Sequence, residues 1–124
     1  MKLNQKDFDR AVRRAIDRIP GEIREHLENV VITVRKRPSR QMLDELGMTP
    51  DDPPLGLYQG ASLMERSIFA PPLYPDTIFI FQDPLEQMCD TLEELEQEIE
   101  ITVVHEIAHF LGIGEDRLAE LGYG

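Results

Sequence analysis

The spacing of hydrophobic and polar residues along the first third of the chain predicts a helix followed by a strand. Residues 5–19 are predicted to form an amphipathic helix that ends at a Pro-Gly pair, because hydrophobic residues recur there at helical spacing: Phe8, Val12, Ala15, Ile16 and Ile19. Ile23 and Leu27 continue the helical pattern briefly. The β-branched stretch NVVITVRKRP then predicts a strand over residues 30–36.

The middle of the chain is predicted to contain a short helix and two more strands. Ser39 is in position to cap a helix that runs through Leu46, with Gly47 at its C-terminal end. The stretches LGLYQG (residues 55–60) and TIFIFQ (residues 77–82) each predict a short strand. The segment between them, ASLMERSIFAPPLYPD, contains three prolines, and is interpreted either as a functional loop or as a proline-stiffened strap across the sheet.

A long helix is predicted near the end of the chain. Thr91 followed by Glu94 is a capping-box pattern, in which the hydroxyl and the carboxylate each bind a free backbone N–H. The helix should continue to about Leu111, where Gly112 permits the left-handed conformation that ends a helix. Projected at about 100° per residue, the apolar residues of this helix form one broad arc: Leu92, Leu95, Ile99, Val103, Val104, Ile107, Phe110 and Leu111.

Two histidines lie outside this apolar arc. His105 and His109 are two of only three histidines in the chain, and they share a narrow sector of the helix with Glu98 and Thr102. Residues four apart lie side by side on a helix, so the two imidazoles could bind one Zn²⁺ at ~2.0–2.1 Å from each nitrogen. Glu106 falls at the border of the arc, where partial desolvation would raise its pKa toward that of a general base.

The residues after the second histidine offer candidates for a third metal ligand. A glycine three residues beyond His109 lets the chain reverse, which could bring Glu115 or Asp116 back to the metal. Two imidazoles, one of these carboxylates and a water molecule would make an open, catalytic zinc site. In such a site Glu106 would accept a proton from the metal-activated water as the water attacks a carbonyl.

Composition limits the broad class of the protein. With 124 residues, 41% hydrophobic and 30% charged, we expect one globular domain over residues 1–124. The polar start MKLNQKDFDRAV has no signal-peptide pattern, and no apolar run approaches the ~20 residues of a membrane span, so no membrane association is expected. The single Cys89 excludes an internal disulfide and is interpreted as a small buried hydrophobe. These features indicate a cytoplasmic protein.

Charge is distributed unevenly along the chain, whose formal net charge is −11. Residues 1–40 hold 11 of the 13 basic residues and only 6 of the 24 acidic ones. The basic stretch VRKRPSR could bind an anionic partner, but we favour the interpretation that the basic third folds against the acidic remainder. The protein as a whole would repel a phosphate backbone, so nucleic acid is not an expected partner.

The stretch HEIAHFLGIGEDRL resembles the motif of the minimal zincin-like metallopeptidases of bacteria, which carry HExxHxxG followed by an acidic residue in the metzincin manner. LGLYQG, ERS, PDTIFIFQDPL and VVHEIAHFLGI also follow the order of such domains. The resemblance implies an α+β, zincin-like (metzincin-like) fold, with a small mixed sheet of about three strands, an N-terminal helix and a long HExxH helix. It further implies that His105 and His109 are the first two zinc ligands, Glu106 the catalytic base and Glu115 the third ligand, with Asp116 as the alternative.

The sequence departs from metzincins after this motif. Only nine residues follow Glu115 and none is methionine, so the Met-containing turn below the metal has no counterpart, and Leu118 and Leu121 could supply only a shortened floor. Tyr58 or Tyr123 could assist an oxyanion, although lone tyrosines more often serve packing. The resemblance therefore supports the metal site better than it supports efficient proteolysis.

Three functions follow from these observations. The favoured one is a zinc-dependent peptidase or amidase that acts on a peptide or protein substrate laid along the edge of the cleft. The alternative is a metal-binding or adaptor domain on a peptidase scaffold, without turnover. A metal-dependent endoribonuclease is disfavoured, because such enzymes use a third histidine ligand and lack the glutamate after the first, and because this chain is strongly acidic.

Overall fold

The computed structural model describes residues 1–60 and 76–123, which form helices around a small sheet. The helices are α1 (Gln5–Asp17), α2 (Gly21–Arg24), α3 (Arg40–Leu46), α4 (Gln82–Met88), α5 (Leu92–Leu111) and α6 (Glu115–Glu120), with a 3-10 turn at Glu25–Leu27. The strands are β1 (Val31–Arg35), β2 (Gly56–Gln59) and β3 (Thr77–Phe81).

The sheet is mixed and has the strand order β1-β3-β2. β1 runs parallel to β3, with Thr33 opposite Phe79, whereas β2 runs antiparallel to β3, with Tyr58 opposite Ile78. Within the described residues β1 and β2 are therefore the edge strands, and β3 is the centre. This arrangement confirms the predicted α+β fold with a small mixed sheet of three strands, an N-terminal helix and a long motif-bearing helix.

The hydrophobic core lies between one face of the sheet and the helices α1 and α5. Helix α5 packs against α1 and also contacts β2 and β3. Ile78 and Ile80 of β3 are completely buried in this core. The largest other residues that are buried in it come from the helices and, for Ile19, from the turn after α1: Phe8, Ile19, Leu85, Leu95, Ile99, Ile107 and Leu118. The central position of α5 fixes the motif relative to the sheet.

The predicted helix ends are present in the structure. The side chains of Ser39 and Thr91 accept hydrogen bonds from backbone N–H groups three residues later, over 3.1 Å in each case. Gly47 and Gly112 adopt the left-handed conformation, with φ of 66° and 73°. One detail differs, because Glu94 accepts from the backbone N–H of Asp90 rather than from that of the capping residue.

The short helices α4 and α6 were not predicted from the sequence. Helix α4 buries Gln82 and Glu86, and the Glu86 carboxylate accepts a hydrogen bond from the backbone N–H of Leu3 over 2.7 Å. A helix that buries polar residues lacks the apolar periodicity used to recognise helices. The predicted proline-rich loop falls almost entirely on residues 61–75, which lie outside the described part of the chain.

Ion pairs join the basic third of the chain to the acidic remainder. Arg18 lies 3.1 Å from Glu100, and Arg37 donates to Asp83 over 2.7 Å. Arg14 also pairs with Glu96. These contacts agree with the favoured interpretation of the uneven charge. Within residues 1–60 and 76–123, no helix combines the length and hydropathy that crossing a bilayer requires.

Candidate functional site

The two histidines of the motif lie in the last two turns of α5, beside each other on the helix. His105 is half-buried and His109 is exposed, and their ring centroids are 6.3 Å apart with the ring planes at 75°. The structure thus brings the predicted pair together and leaves one side of it open. Two imidazole nitrogens on one helix face are suitable donors for a zinc ion.

Glu106 lies between the histidines in sequence and points toward strand β2. Its Oε1 accepts a hydrogen bond from the backbone N–H of Tyr58 over 2.9 Å. Burial raises the pKa of the Glu106 carboxyl, while the Tyr58 hydrogen bond and the charges of the two histidines act in the opposite direction. The position at the border of the buried face therefore has the effect on the pKa that the sequence predicted.

The Tyr58 N–H can reach Glu106 because it faces away from the rest of the sheet. The backbone N–H of Phe81 donates to the carbonyl oxygen of Leu55 over 3.0 Å. In an antiparallel pair, opposed residues exchange backbone hydrogen bonds at every second position. Leu55 and Phe81 form such a position, so the next one is Leu57 opposite Phe79. Tyr58 occupies the intervening position, and its N–H points to the outer edge of β2, where the Glu106 carboxylate meets it.

Gly56 allows β2 to approach α5 closely. A Cβ atom at this position would lie 2.6 Å from Cγ2 of Thr102 and 3.0 Å from the carbonyl oxygen of Phe79. Any side chain would push the strand away from the helix that carries Glu106. Gly56 is a residue that shapes this part of the structure and that was not singled out from the sequence. Its signal was a glycine inside a predicted strand, which often marks such a close approach.

The side chain of Tyr58 connects β2 to the exposed end of α5. Its ring stacks on Phe110, with centroids 4.2 Å apart and planes at 12°, and its hydroxyl donates to Oδ2 of Asp76 over 2.8 Å. Phe110 is nevertheless 55% exposed, and Leu111 is also exposed. The predicted apolar arc is therefore buried only along the middle of α5, because both helix ends extend beyond the core.

Tyr123 reaches the site through its backbone carbonyl rather than through its hydroxyl. The carbonyl oxygen lies 2.9 Å from Nε2 of His105. The hydroxyl donates to Oε2 of Glu100 over 2.8 Å. Burial, followed by this hydrogen bond and the Glu100 charge, raises the pKa of the Tyr123 hydroxyl above its usual range. In this conformation each tyrosine hydroxyl that was considered for an oxyanion is bonded to a carboxylate.

The predicted third ligands lie at the start of α6. Glu115 and Asp116 are its first two residues, after the turn at Gly112, and both are exposed. Among the residues that the structure describes, no three His, Cys, Asp or Glu side chains are grouped closely enough to hold one metal ion. Imidazole nitrogen is a donor that zinc accepts, and the assignment of His105, His109 and a third ligand to one metal ion stays a prediction.

Comparison with solved structures identifies a similar fold. A conserved hypothetical protein from Thermo thermophilus is 19% identical, and the similarity covers 94% of this chain and 98% of that chain with a TM-score of 0.60. At this identity the similarity shows the fold alone. None of the curated proteins matches the chain.

A family comparison covers most of the chain. The model of the zincin-like metallopeptidase family matches residues 27–124. This range contains the whole sheet and the motif-bearing helix α5. Because the match spans well over half of the sequence, the chain belongs to the zincin-like metallopeptidase family.

Proposed function

We propose that this protein is a metal-dependent peptidase in which His105 and His109 bind zinc and Glu106 is the general base. One observation carries the proposal: a half-buried carboxylate, whose pKa is raised by burial, lies on the same helix turn as two imidazoles that share one face. Membership in the zincin-like metallopeptidase family supports the same reaction class.

The donor set of this chain suits zinc better than a hard cation, since imidazole nitrogen is a preferred ligand of Zn²⁺. Glu115 is the proposed third ligand, with Asp116 as the alternative, because both follow the helix-ending Gly112. When bound, the metal would lower the pKa of a water molecule toward about 7 and polarise the substrate carbonyl.

Glu106 is proposed to move the proton during hydrolysis. Its Oε1 accepts a hydrogen bond from the Tyr58 N–H, and Oε2 is the atom proposed to take the proton. The raised pKa suits Glu106 to accept a proton from the attacking water and to deliver it to the leaving amine. The partial burial that raises this pKa also limits the access of bulk water.

The proposed substrate is a peptide or protein segment in an extended conformation. Within the described residues β2 is an edge strand, and it borders the motif through the Tyr58–Glu106 contact. An extended segment would lie beside this strand and bring its carbonyl to the motif, without using the Tyr58 N–H, which is bonded to Glu106. The acidic character of the chain disfavours nucleic acid as an alternative substrate.

The experiment that tests this function compares Glu106→Gln with Glu93→Gln on a broad peptide library. Glu93 is an exposed residue of the same helix and serves as the matched control. Glu106→Gln should retain zinc and lose hydrolysis by about 10²–10⁴-fold, the typical contribution of a general base. Glu93→Gln should cleave as the wild type does. Unchanged turnover in Glu106→Gln would remove Glu106 from the mechanism.

A second function, a metal-binding or adaptor domain without turnover, is supported by one observation. The hydroxyls of Tyr58 and Tyr123, the two candidates to assist an oxyanion, donate to the carboxylates of Asp76 and Glu100 instead. Zinc bound by the wild type without cleavage of any peptide in the library would favour this function. Hydrolysis that depends on Glu106 would exclude it.

A further inference from the structure

An open groove of about 500 Å³ lies between helix α1 and strand β1. Its apolar lining comes from both elements: Val12 and Ile16 of α1, and Ile32 and Val34 of β1. β1 and β2 are on opposite sides of β3, so the groove is at the other edge of the sheet from the motif. We propose that it binds an extended peptide segment of another protein, apolar at alternate positions and basic in net charge. This site does not depend on the proposed peptidase activity.

The outer edge of β1 carries backbone groups that an extended chain can bind. The N–H of Val31 donates to the carbonyl oxygen of Asp76, so in the parallel pair with β3 every second residue from Val31 onward faces β3. The N–H and C=O groups of Ile32 and Val34 therefore point away from β3. Within the described residues no further strand lies on this side. An edge of this kind is a template for pairing with another extended chain.

The same two residues of β1 determine which side chains the peptide needs. Ile32 is opposite Ile78 and Val34 is opposite Ile80. Because Ile78 and Ile80 are completely buried in the core, Ile32 and Val34 also place their side chains on the core-facing side of the sheet. A strand added beside them would direct every second side chain to that same side, into the apolar lining of the groove. The peptide is therefore expected to be apolar at alternate positions.

Helix α1 favours an isolated segment over a second copy of this chain. Its first residue, Gln5, and its last residue, Asp17, both line the groove, so the helix borders the groove over its full length. In a second copy, β1 would bring its own α1 on the same side of the sheet. Two-fold pairing of the β1 edges would then place both helices over one seam. A peptide segment without a covering helix meets no such obstacle.

The polar border of the groove determines the charge of the peptide. Asp9 and Asp17 of α1 are exposed and line the groove, together with one basic residue of the helix, Arg13. The chain as a whole has a formal net charge of −11. A peptide with basic residues is attracted by this field, whereas an acidic one is repelled.

Amide hydrogen exchange of the full chain, measured by NMR, tests the edge itself. In the free protein the amides of Ile32 and Val34 should exchange on the order of tenfold or more faster than the amide of Thr33, because only Thr33 faces β3. Equal protection of the three amides in dilute protein would show that the edge is already paired, and would overturn the proposal. Protection of Ile32 and Val34 that grows with protein concentration would assign the edge to a second copy, and would also overturn it.

The binding test uses a random peptide library displayed on phage and selected on the wild type, with affinities of the selected peptides measured by fluorescence anisotropy. The selected peptides should alternate apolar residues, carry net positive charge and protect the amides of Ile32 and Val34. Val34→Pro removes one outward N–H and should lower the affinity on the order of tenfold. Val34→Ala keeps this N–H and should weaken binding less.

Charge variants complete the binding test. Asp9→Lys should weaken binding of the selected peptides, most strongly at low salt. Asp44→Lys, at an exposed position of α3, makes the same charge change away from the groove and should leave the affinity unchanged. Failure to enrich any peptide on the wild type would overturn the proposal. So would selected peptides that bind folded Val34→Pro and Asp9→Lys as tightly as they bind the wild type.

Discussion

The backbone N–H of Tyr58 donates a hydrogen bond to the carboxylate of Glu106 over 2.9 Å, and this contact joins an edge strand to the middle of the HExxH motif. The strand position gives the N–H its outward direction, and Gly56 gives it the necessary proximity to α5. The carboxylate that we propose as the general base is thus oriented by the backbone of the strand that borders the proposed cleft.

Gly56→Ala should destabilise the protein, because its Cβ would lie 2.6 Å from Thr102 Cγ2 and 3.0 Å from a backbone oxygen. Overpacking of this kind typically costs about 1–3 kcal/mol in the free energy of unfolding. The measurement is urea denaturation. Gly21→Ala is the matched control, since no atom lies within 4 Å of its added Cβ, and it should change stability by no more than about 0.5 kcal/mol. Equal effects of the two substitutions would contradict the close approach.

The stacking of Tyr58 on Phe110 should contribute to stability although Phe110 is largely exposed. Aromatic pairs at such separations contribute about 0.5–1.5 kcal/mol beyond the area that they bury. A double-mutant cycle with Tyr58→Leu and Phe110→Ala isolates this interaction energy from the Tyr58–Asp76 hydrogen bond. A coupling energy indistinguishable from zero would show that the rings do not stack in solution.

Glu106→Gln should stabilise the metal-free protein at neutral pH. Burial raises the folded-state pKa of Glu106 above its unfolded value. The contribution of Glu106 to the free energy of unfolding is therefore fully present below the unfolded pKa, and it is lost as the pH rises through the folded pKa. Glutamine carries no charge to desolvate, and its amide oxygen can still accept from the Tyr58 N–H.

Urea unfolding in the presence of a chelator, measured from about pH 4 to about pH 8, tests this prediction, since the Glu titration falls at the acidic end of that range. The stability difference between Glu106→Gln and the wild type should be small at the acidic end and grow with pH. Glu93→Gln, at an exposed position, should show no such increase. A Glu106→Gln variant that is less stable than the wild type at neutral pH would contradict the assigned direction of the pKa.

Cys89 should react slowly with thiol reagents in the folded protein. It is 2% exposed, and burial raises the pKa of its thiol, with the charges of Glu98 and Glu94 acting in the same direction. Since the thiolate is the reactive form, the native rate with a disulfide reagent should be on the order of tenfold or more below the rate in urea. The chain has one cysteine, so the measurement is unambiguous. Equal rates would show that Cys89 is outside the core.

The elements that could be predicted from the sequence are those whose determinants are local. Ser39 and Thr91 bind backbone groups three residues away, and Gly112 takes its left-handed conformation within its own turn. The histidine pair was predictable for the same reason, because side chains four residues apart lie next to each other on a helix.

The contacts that complete the site depend instead on tertiary placement. The Tyr58 N–H and the Tyr123 carbonyl are backbone groups that every residue possesses, so no residue type marks them in the sequence. Helix α4 was missed because its buried Gln82 and Glu86 bind Leu3, more than seventy residues away. The expected contact of Glu115 or Asp116 with the histidines also depends on placement, and it remains a prediction.

The most direct test of the central claim is the zinc content of purified protein, measured by elemental analysis for the wild type and for three single histidine variants. His105 and His109 are the proposed ligands, whereas His26 is the third histidine of the chain and is exposed elsewhere. We predict about one zinc per chain in the wild type and in His26→Ala, and loss of that zinc in His105→Ala and His109→Ala. Equal zinc content in all four proteins, or none in the wild type after loading, would contradict the account.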